Sequence, residues 1–167
     1  LGCCKRVYVV SFNNECKELL FLLEKDFSGE PHVICKELKE KVSFSFEFNF
    51  REERNTLIEF SRPLTYLYEP NVSVLKGGAF KSVANKFELK KLGVNTHLYT
   101  SDKLVENFTG KTFRVITIDK PRKGIVKKAN VVSRNFPLNP SEIRNKYKIT
   151  DGGTKFLFAC KLQNEER

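Results

Sequence analysis

The sequence predicts an α+β protein, in which a small β-α-β-β segment is followed by a mixed sheet with helices on one face. Three patterns support this fold class. Phenylalanines at every second position from 44 to 50 alternate with polar residues, as in a strand with one face against a core. Apolar residues between 72 and 87 recur every three or four positions, as on one helix face. From residue 111 onward, strand and helix patterns alternate in an order that suits such a sheet.

The β-α-β-β segment is predicted within the first 50 residues. Residues 6–11 are rich in valine and tyrosine and predict a buried strand. Asn13 or Asn14 is placed to cap a helix that continues to about residue 25. Residues 32–38 predict the second strand, and the phenylalanine repeat predicts the third. A segment of this length forms half of a compact unit or the end of a larger sheet.

A helical region is predicted over residues 66–87, after a short charged helix or connector at 51–60. Asn71 is a preferred N-cap residue directly before the apolar repeat. Gly77 and Gly78 lie inside the repeat, where each costs about 1 kcal/mol relative to alanine. Tight packing of the helix on a sheet explains this pair better than contact with a ligand does.

The C-terminal half is predicted to contain four strands, a helical turn and a capped helix. Asn139 and Glu142 form a capping-box pattern, with Pro140 at the first helical position. The strands are predicted at 97–100, 111–118, 129–136 and 155–162, the helical turn at 102–108 and a basic loop at 120–128.

The composition is that of a globular protein with an uneven distribution of charge. Hydrophobic residues make up 40% and charged residues 30% of the 167 positions, which excludes a disordered chain. The formal net charge is +10. Residues 13–60 carry seven basic against eleven acidic side chains, whereas residues 61–162 carry twenty against seven. Positive charge concentrated in one half indicates binding to a polyanion.

Targeting signals and metal sites are not predicted. No apolar run is long enough to span a membrane, and the sequence passes directly into a strand pattern, so we expect neither a membrane helix nor a signal peptide. The five cysteines are odd in number and lack the spacing of a zinc site, which predicts free thiols in a reducing cytoplasm and no bound metal. The chain begins with Leu1 and contains no methionine, so we expect a piece of a longer protein.

The strongest functional signal is a run of basic residues between 111 and 134. Eight lysines and arginines fall within 24 consecutive positions that hold a single acid, Asp119. Phosphate groups favour such a density, because each neutralised phosphate releases a counterion. The alternative is a solvated surface without a specific ligand. Together with lysines of the 66–87 region, the residues predicted to contact nucleic acid are Lys76, Lys81, Lys86, Lys120, Arg122, Lys123, Lys127, Lys128 and Arg134.

Residues 134–136, Arg-Asn-Phe, are a further candidate for nucleic-acid contact. A guanidinium, an amide and an aromatic ring at one strand end can pair and stack with an unpaired base. The alternative is an ordinary edge strand that leads into Pro137.

The sequence offers little for catalysis. A class I methyl-donor site needs a glycine-rich turn between a first strand and a helix, and neither glycine pair of this chain lies in such a place. We therefore predict no catalytic residue and no cofactor site in this chain. A polar group near the turn after residue 96 is the one candidate for a further site, and it comprises Glu69, His97, Ser101 and Asp102.

Several motifs resemble the C-terminal region of a bacterial family of class I S-adenosylmethionine-dependent methyltransferase-like proteins. They are YLYEPN, LKGGAFK and NTHLYTSD between residues 66 and 102, RNFPL at 134–138 and KITDGG at 148–153. In addition, residues 9–23 resemble a ferredoxin-like segment that precedes a THUMP-like domain in that family. The resemblance implies a ferredoxin-like segment at 1–60, adjoining a methyltransferase domain, and a basic THUMP-like domain at 61–167.

The resemblance also implies a function. THUMP domains are RNA-binding modules of RNA-modifying enzymes, so the chain is expected to recognise RNA, either tRNA or rRNA, for a methyltransferase. The parent protein would use S-adenosylmethionine, bound by its own N-terminal methyltransferase domain, in the cytoplasm. Two alternatives remain open. The chain is a protein-interaction domain that docks on that methyltransferase domain, with Tyr66 and Tyr68 at the interface, or the turn from His97 to Asp102 contributes to the parent's active site.

Overall fold

The computed structural model describes residues 2–163, and its first sheet has four strands. These are β1 (Cys4–Phe12), β2 (Glu15–Leu23), β3 (His32–Leu38) and β4 (Ser43–Asn49). Their order across the sheet is β2-β1-β3-β4. β1 and β3 are parallel, and the two outer strands are antiparallel to their neighbours. The strands predicted at 6–11, 32–38 and 44–50 are confirmed.

The helix predicted after Asn13 is wrong, because this segment is strand β2. Asn13 and Asn14 both adopt left-handed backbone conformations, with φ of 50° and 61°. Two such residues form the tight turn that suits a β-hairpin, and asparagine tolerates this conformation better than most residues. Glu37 of β3 fixes the turn, since its Oε1 accepts a hydrogen bond from the backbone N–H of Asn14 at 2.6 Å. The segment is therefore β-β-β-β.

Two short helices pack on one face of the first sheet. They are α2 (Val72–Gly77) and α3 (Phe80–Lys86), and they follow α1 (Phe50–Asn55) and strand β5 (Tyr66–Pro70). The helix predicted over 66–87 is thus corrected: it begins with a strand and is divided in two. Gly78 lies at the division with φ of 85°, a left-handed C-cap that ends α2.

The start of α2 and its packing on the sheet agree with the predicted N-cap and the predicted tight packing at the glycine pair. The side chain of Asn71 accepts a hydrogen bond from the backbone N–H of Val74 at 3.1 Å, which confirms the N-cap. A Cβ atom at Gly77 would lie 2.6 Å from Sγ of Cys35 on β3. Only glycine allows this approach of helix to sheet, so the packing interpretation of the glycine pair is confirmed at this position.

The second sheet is built around β5. Its other strands are β6 (Lys90–Lys91), β7 (Tyr99–Ser101) and β8 (Gly110–Arg114), in the order β6-β7-β5-β8. The helical turn predicted at 102–108 is wrong. The hydroxyl of Tyr68 takes its place, because it donates to the carbonyl of Lys103 and accepts from the N–H of Val105.

The remaining elements form a β-α-β unit. β9 (Lys128–Arg134) and β10 (Thr150–Cys160) are parallel, with α4 (Pro140–Tyr147) between them in sequence. Asn139 and Glu142 form the predicted capping box, with hydrogen bonds of 3.0 and 2.7 Å. Apolar packing joins this unit to the second sheet: Leu67, Leu92 and Leu98 are buried against side chains that include Phe113 and Phe158.

The described residues, 2–163, bear on the expectations for the cysteines, for membrane-spanning helices and for metal clusters. All five cysteines are free thiols, as predicted. Within these residues no helix combines the length and apolar character that crossing a membrane requires. The same residues contain no cluster of histidine, cysteine and carboxylate side chains arranged to hold a metal ion.

Candidate nucleic-acid interface

The basic loop at residues 120–128 is an exposed connection between β8 and β9. All five of its lysine and arginine side chains are exposed. Within residues 2–163, only Arg122 among them makes an ion pair, with Asp119 at 3.8 Å. The lysines are therefore available to an external anion, and they are Lys120, Lys123, Lys127 and Lys128.

Lys128 is held by an irregular stretch of β10. Gly152 and Gly153 have φ of 93° and 87°, a left-handed backbone that favours glycine. The stem of Lys128 lies across them, since a Cβ at Gly153 would be 3.6 Å from its Cγ. Asn130 fixes the irregularity by donating from Nδ2 to the carbonyl of Gly153 at 2.8 Å. At this end of the loop, the stem of the lysine is thus packed against the backbone of β10.

Arg134 makes contacts within the protein and connects two elements. Its Nη2 and Nε lie 2.6 and 2.8 Å from Oε1 of Glu69 on β5. Nη1 donates to the carbonyl of Ser133 at 3.0 Å. The Glu69 side chain is 9% exposed and that of Arg134 is 42% exposed. Two predicted site residues are therefore brought together in a partly buried ion pair that ties β9 to the second sheet.

The three lysines predicted on the helices lie in a different place from the loop. Lys76 and Lys86 are exposed on α2 and α3, the helices that pack on the first sheet. The Nζ of Lys86 lies 4.8 Å from the ring centroid of Phe46, a cation–π contact. Lys81 donates from Nζ to the carbonyl of Arg54 at 2.9 Å. Of these three lysines, Lys81 is half-buried, whereas Lys76 and Lys86 are exposed.

The predicted polar group is spread over separate contacts. His97 stacks on Phe80 with ring centroids 3.7 Å apart, and its buried Nδ1 makes no hydrogen bond within the described residues. Burial, with a smaller effect from the charge of Lys91, lowers the pKa of His97 from 6.5 to about 4. Ser101 donates to the carbonyl of Lys103 at 2.5 Å, and Asp102 is exposed on the turn beside it. His97 is therefore a neutral packing residue in this fold.

A feature that the sequence showed only in part is an open cleft beside the start of α4. It has a volume of about 750 Å³, and Asn135, Phe136, Glu142 and Lys161 are among its lining residues. Asn135 has φ of 50°, so the backbone bends sharply between β9 and the cleft. The Arg-Asn-Phe motif predicted part of this cleft, but Lys161 comes from beyond β10 and carries no local signal.

Comparison with known proteins adds two domain assignments. A ferredoxin-like domain matches residues 66–108, and a THUMP domain-like region matches residues 111–167. The ferredoxin-like match thus lies after the segment at 1–60 to which we gave that name, and the division of the chain at residue 60 stays a prediction. No curated protein gives a significant match.

One solved structure resembles nearly the whole chain. It is the crystal structure of a "putative methyltransferase" from Porphyromonas gingivalis W83, with a TM-score of 0.92 and 32% sequence identity. The match covers 99% of this chain but only 44% of that protein. The chain is thus an α+β protein with ferredoxin-like and THUMP-like domains, and it is similar to less than half of a methyltransferase-related protein.

Proposed function

We propose that this chain recognises RNA, either tRNA or rRNA, on behalf of a methyltransferase. The observation that supports this most directly is the set of four exposed lysines at 120–128 that make no ion pair within the described residues. They lie in the region that matches a THUMP-like domain. Their phosphate contacts would supply affinity and position, while a base is recognised elsewhere.

The cleft beside α4 is the place proposed for an unpaired nucleotide. Phe136 offers a ring for stacking and Lys161 offers a charged group at the same edge. Asn135, whose Nδ2 donates to Thr96 at 3.3 Å, forms the bend that leads into the cleft. Arg134 contributes by holding β9 against β5 through Glu69, which keeps the cleft in a fixed position relative to the second sheet.

Methyl transfer is proposed for a separate part of a longer protein. Class I enzymes hold S-adenosylmethionine at a glycine-rich turn between a strand and a helix. Of the glycine pairs here, Gly77 and Gly78 end α2, and Gly152 and Gly153 lie within β10, so the described residues do not fit that donor. We therefore derive no catalytic step from this chain and place S-adenosylmethionine in the remainder of the protein.

The test is tRNA binding over a series of salt concentrations. Each phosphate contact contributes about 0.7 to 0.9 to the slope of log affinity against log salt. A variant with serine at Lys120, Arg122, Lys123, Lys127 and Lys128 should therefore bind more weakly and with a slope shallower by several units.

A matched control removes the same number of positive charges, but from the acidic part of the chain, residues 13–60. It carries serine at Lys17, Lys25, Lys39, Lys41 and Arg51, all exposed. We expect its slope to equal that of the unmodified chain. Equal slopes for all three proteins, or no tRNA binding at low salt, would overturn the proposed function.

The alternative function, docking on the methyltransferase domain, was predicted to use Tyr66 and Tyr68, and the structure gives these two residues no support. Tyr68 is completely buried and Tyr66 is half-buried, so they do not form an exposed aromatic surface. The described residues do expose an apolar surface, but on strand β2.

A further inference from the structure

The first sheet has one face covered by helices and one face left open. Gly77 of α2 approaches Cys35 and Val33, so the helices lie on the face of β3 that carries these two side chains. The neighbouring residue, Ile34, lies on the opposite face, and Tyr8 of β1 is its partner in the register. Tyr8 is paired in turn with Leu20 of β2. The open face therefore carries an apolar row that crosses three strands. Along this row Leu20 is exposed, Tyr8 is half-buried and Ile34 is only 6% exposed.

Strand β2 extends this apolar surface to the edge of the sheet. All nine of its residues are exposed, and residues 19–23 are five consecutive large hydrophobic side chains. Leu20 and Leu22, on the open face, are 48% and 43% exposed. Proteins usually protect an edge strand with charges or proline, and a contiguous exposed apolar surface commonly marks an interface. Here the charged residues on the open face of β2, Glu15 and Glu18, are both in its first half, and the second half is apolar.

We propose that the exposed part of this apolar surface, formed by Tyr8, Leu20 and Leu22 with the edge of β2, docks a second domain of the same polypeptide. The inference rests on the proposed function, in which the chain works within a longer methyltransferase-related protein. The Porphyromonas protein supports this occupant, because it reproduces the fold at a TM-score of 0.92 while more than half of its length has no counterpart here.

Charge also favours a protein domain over nucleic acid on this surface. Residues 13–60 carry a net charge of −4, and the apolar row is bordered by side chains of both signs, Arg6, Lys36 and Glu47. A linked domain is present at millimolar effective concentration, so an interface of modest area stays closed without high intrinsic affinity. RNA would instead bind at the basic loop, on a different sheet.

Hydrogen exchange of the full-length Porphyromonas protein and of the segment of that same protein that matches this chain tests this docking, because both share one sequence at the strand equivalent to β2. Amides of β2 should exchange about tenfold or more slowly in the full-length protein at the equivalent strand, because docking suppresses local opening. β4, at the other edge of the sheet, is the internal control and should change less. Equal exchange of the β2 strand in both proteins would overturn the inference.

A surface variant provides a second measurement in this chain alone. Leu20→Asp with Leu22→Asp should reduce the fluorescence of a bound apolar dye several-fold. Leu57→Asp with Ile116→Asp removes two exposed apolar residues elsewhere and should leave it unchanged. Unchanged dye binding in the first variant contradicts an open apolar face, and a stable dimer in sedimentation equilibrium assigns the surface to a second copy instead.

Neither measurement contains RNA, so the two proposals fail separately. If tRNA binding is absent but the amides of β2 are protected from exchange, only the RNA-binding proposal is refuted. If the amides of β2 are not protected but tRNA binds as expected, only the docking proposal is refuted.

Discussion

Removal of the arginine from the Glu69–Arg134 ion pair is predicted to cost more stability than removal of the glutamate. Arg134→Met would leave the carboxylate of Glu69, whose side chain is 9% exposed, without its two hydrogen bonds. Breaking a fully buried pair costs about 3–5 kcal/mol. Because 42% of the Arg134 side chain is exposed and water reaches the pair, we expect a loss of about 2 kcal/mol.

The reverse substitution is milder. Glu69→Gln keeps an oxygen that accepts from the guanidinium, and Arg134 remains partly hydrated, so we expect a loss of about 1 kcal/mol. The double variant with methionine at both positions should regain part of the loss of Arg134→Met, because no unpaired charge is left in the interior. The free energy of unfolding in urea, measured for the unmodified chain, the two single variants and the double variant, gives both the asymmetry and the recovery in the double variant.

The ion pair of Arg144 with Asp151 is the matched control. Its partners are 3.2 Å apart, but Asp151 is 68% exposed, so Arg144→Met should cost about 1 kcal/mol or less. Equal losses for Arg134→Met and Glu69→Gln, or a loss for Arg134→Met no greater than that of the control, would refute the view that this partly buried pair stabilises the joint between β5 and β9. The tRNA salt slope of Arg134→Met should also differ little from that of the unmodified chain.

Three further predictions concern local features of the fold. Gly77→Ala should destabilise the protein by about 1–3 kcal/mol in urea unfolding, because its Cβ would meet Sγ of Cys35 at 2.6 Å, and Cys35→Ala should reduce that cost. Asn139→Ala should cost about 1 kcal/mol by thermal unfolding, since it removes a confirmed cap of α4. The pKa of His97 is lowered in the folded chain, so as the pH falls the unfolded chain takes up a proton first. The contribution of His97 to the free energy of unfolding is therefore complete above pH 6.5 and is lost as the pH falls toward about 4. His97→Gln should flatten this pH dependence, whereas His32→Gln should retain it; equal profiles for both would contradict the assignment.

Local signals in the sequence predicted those elements whose determinants are adjacent in the chain. Residues 32–38 form a strand with the predicted bounds, and the capping box at Asn139 starts α4 where expected. The cap at Asn71 belongs to the same class. In each case the hydrogen bond or the alternation that specifies the element lies within a few residues.

The errors arise where the deciding contact is distant or where two periodicities coincide. Residues 19–23 are all apolar, so they satisfy the helical pattern and the strand pattern equally, and the left-handed turn at Asn13 decides between them. The helix predicted at 102–108 fails because Tyr68, more than 30 residues earlier, binds its backbone. Glu69 and Arg134 are 65 residues apart, which explains why both were predicted as site residues and neither as the other's partner.

The arrangement of the surfaces gives the joint between β5 and β9 a specific role in the proposed function. The apolar surface lies on the first sheet, and the basic loop leads into β9 at the opposite end of the chain. Between them, the ion pair of Glu69 with Arg134 and the packing of Leu67 and Leu98 on Phe158 make the second sheet and the β-α-β unit one continuous body. The core that Tyr68 and Tyr99 share with Val33 and Phe46 joins the second sheet to the first. In the proposed function, RNA held at the loop would therefore keep a fixed distance from a domain docked on the first sheet. The proposed function therefore predicts that a chain whose joint is loosened still binds RNA through its lysines but no longer presents one nucleotide at one position. In that proposal, positioning depends on the joint and affinity depends on the loop.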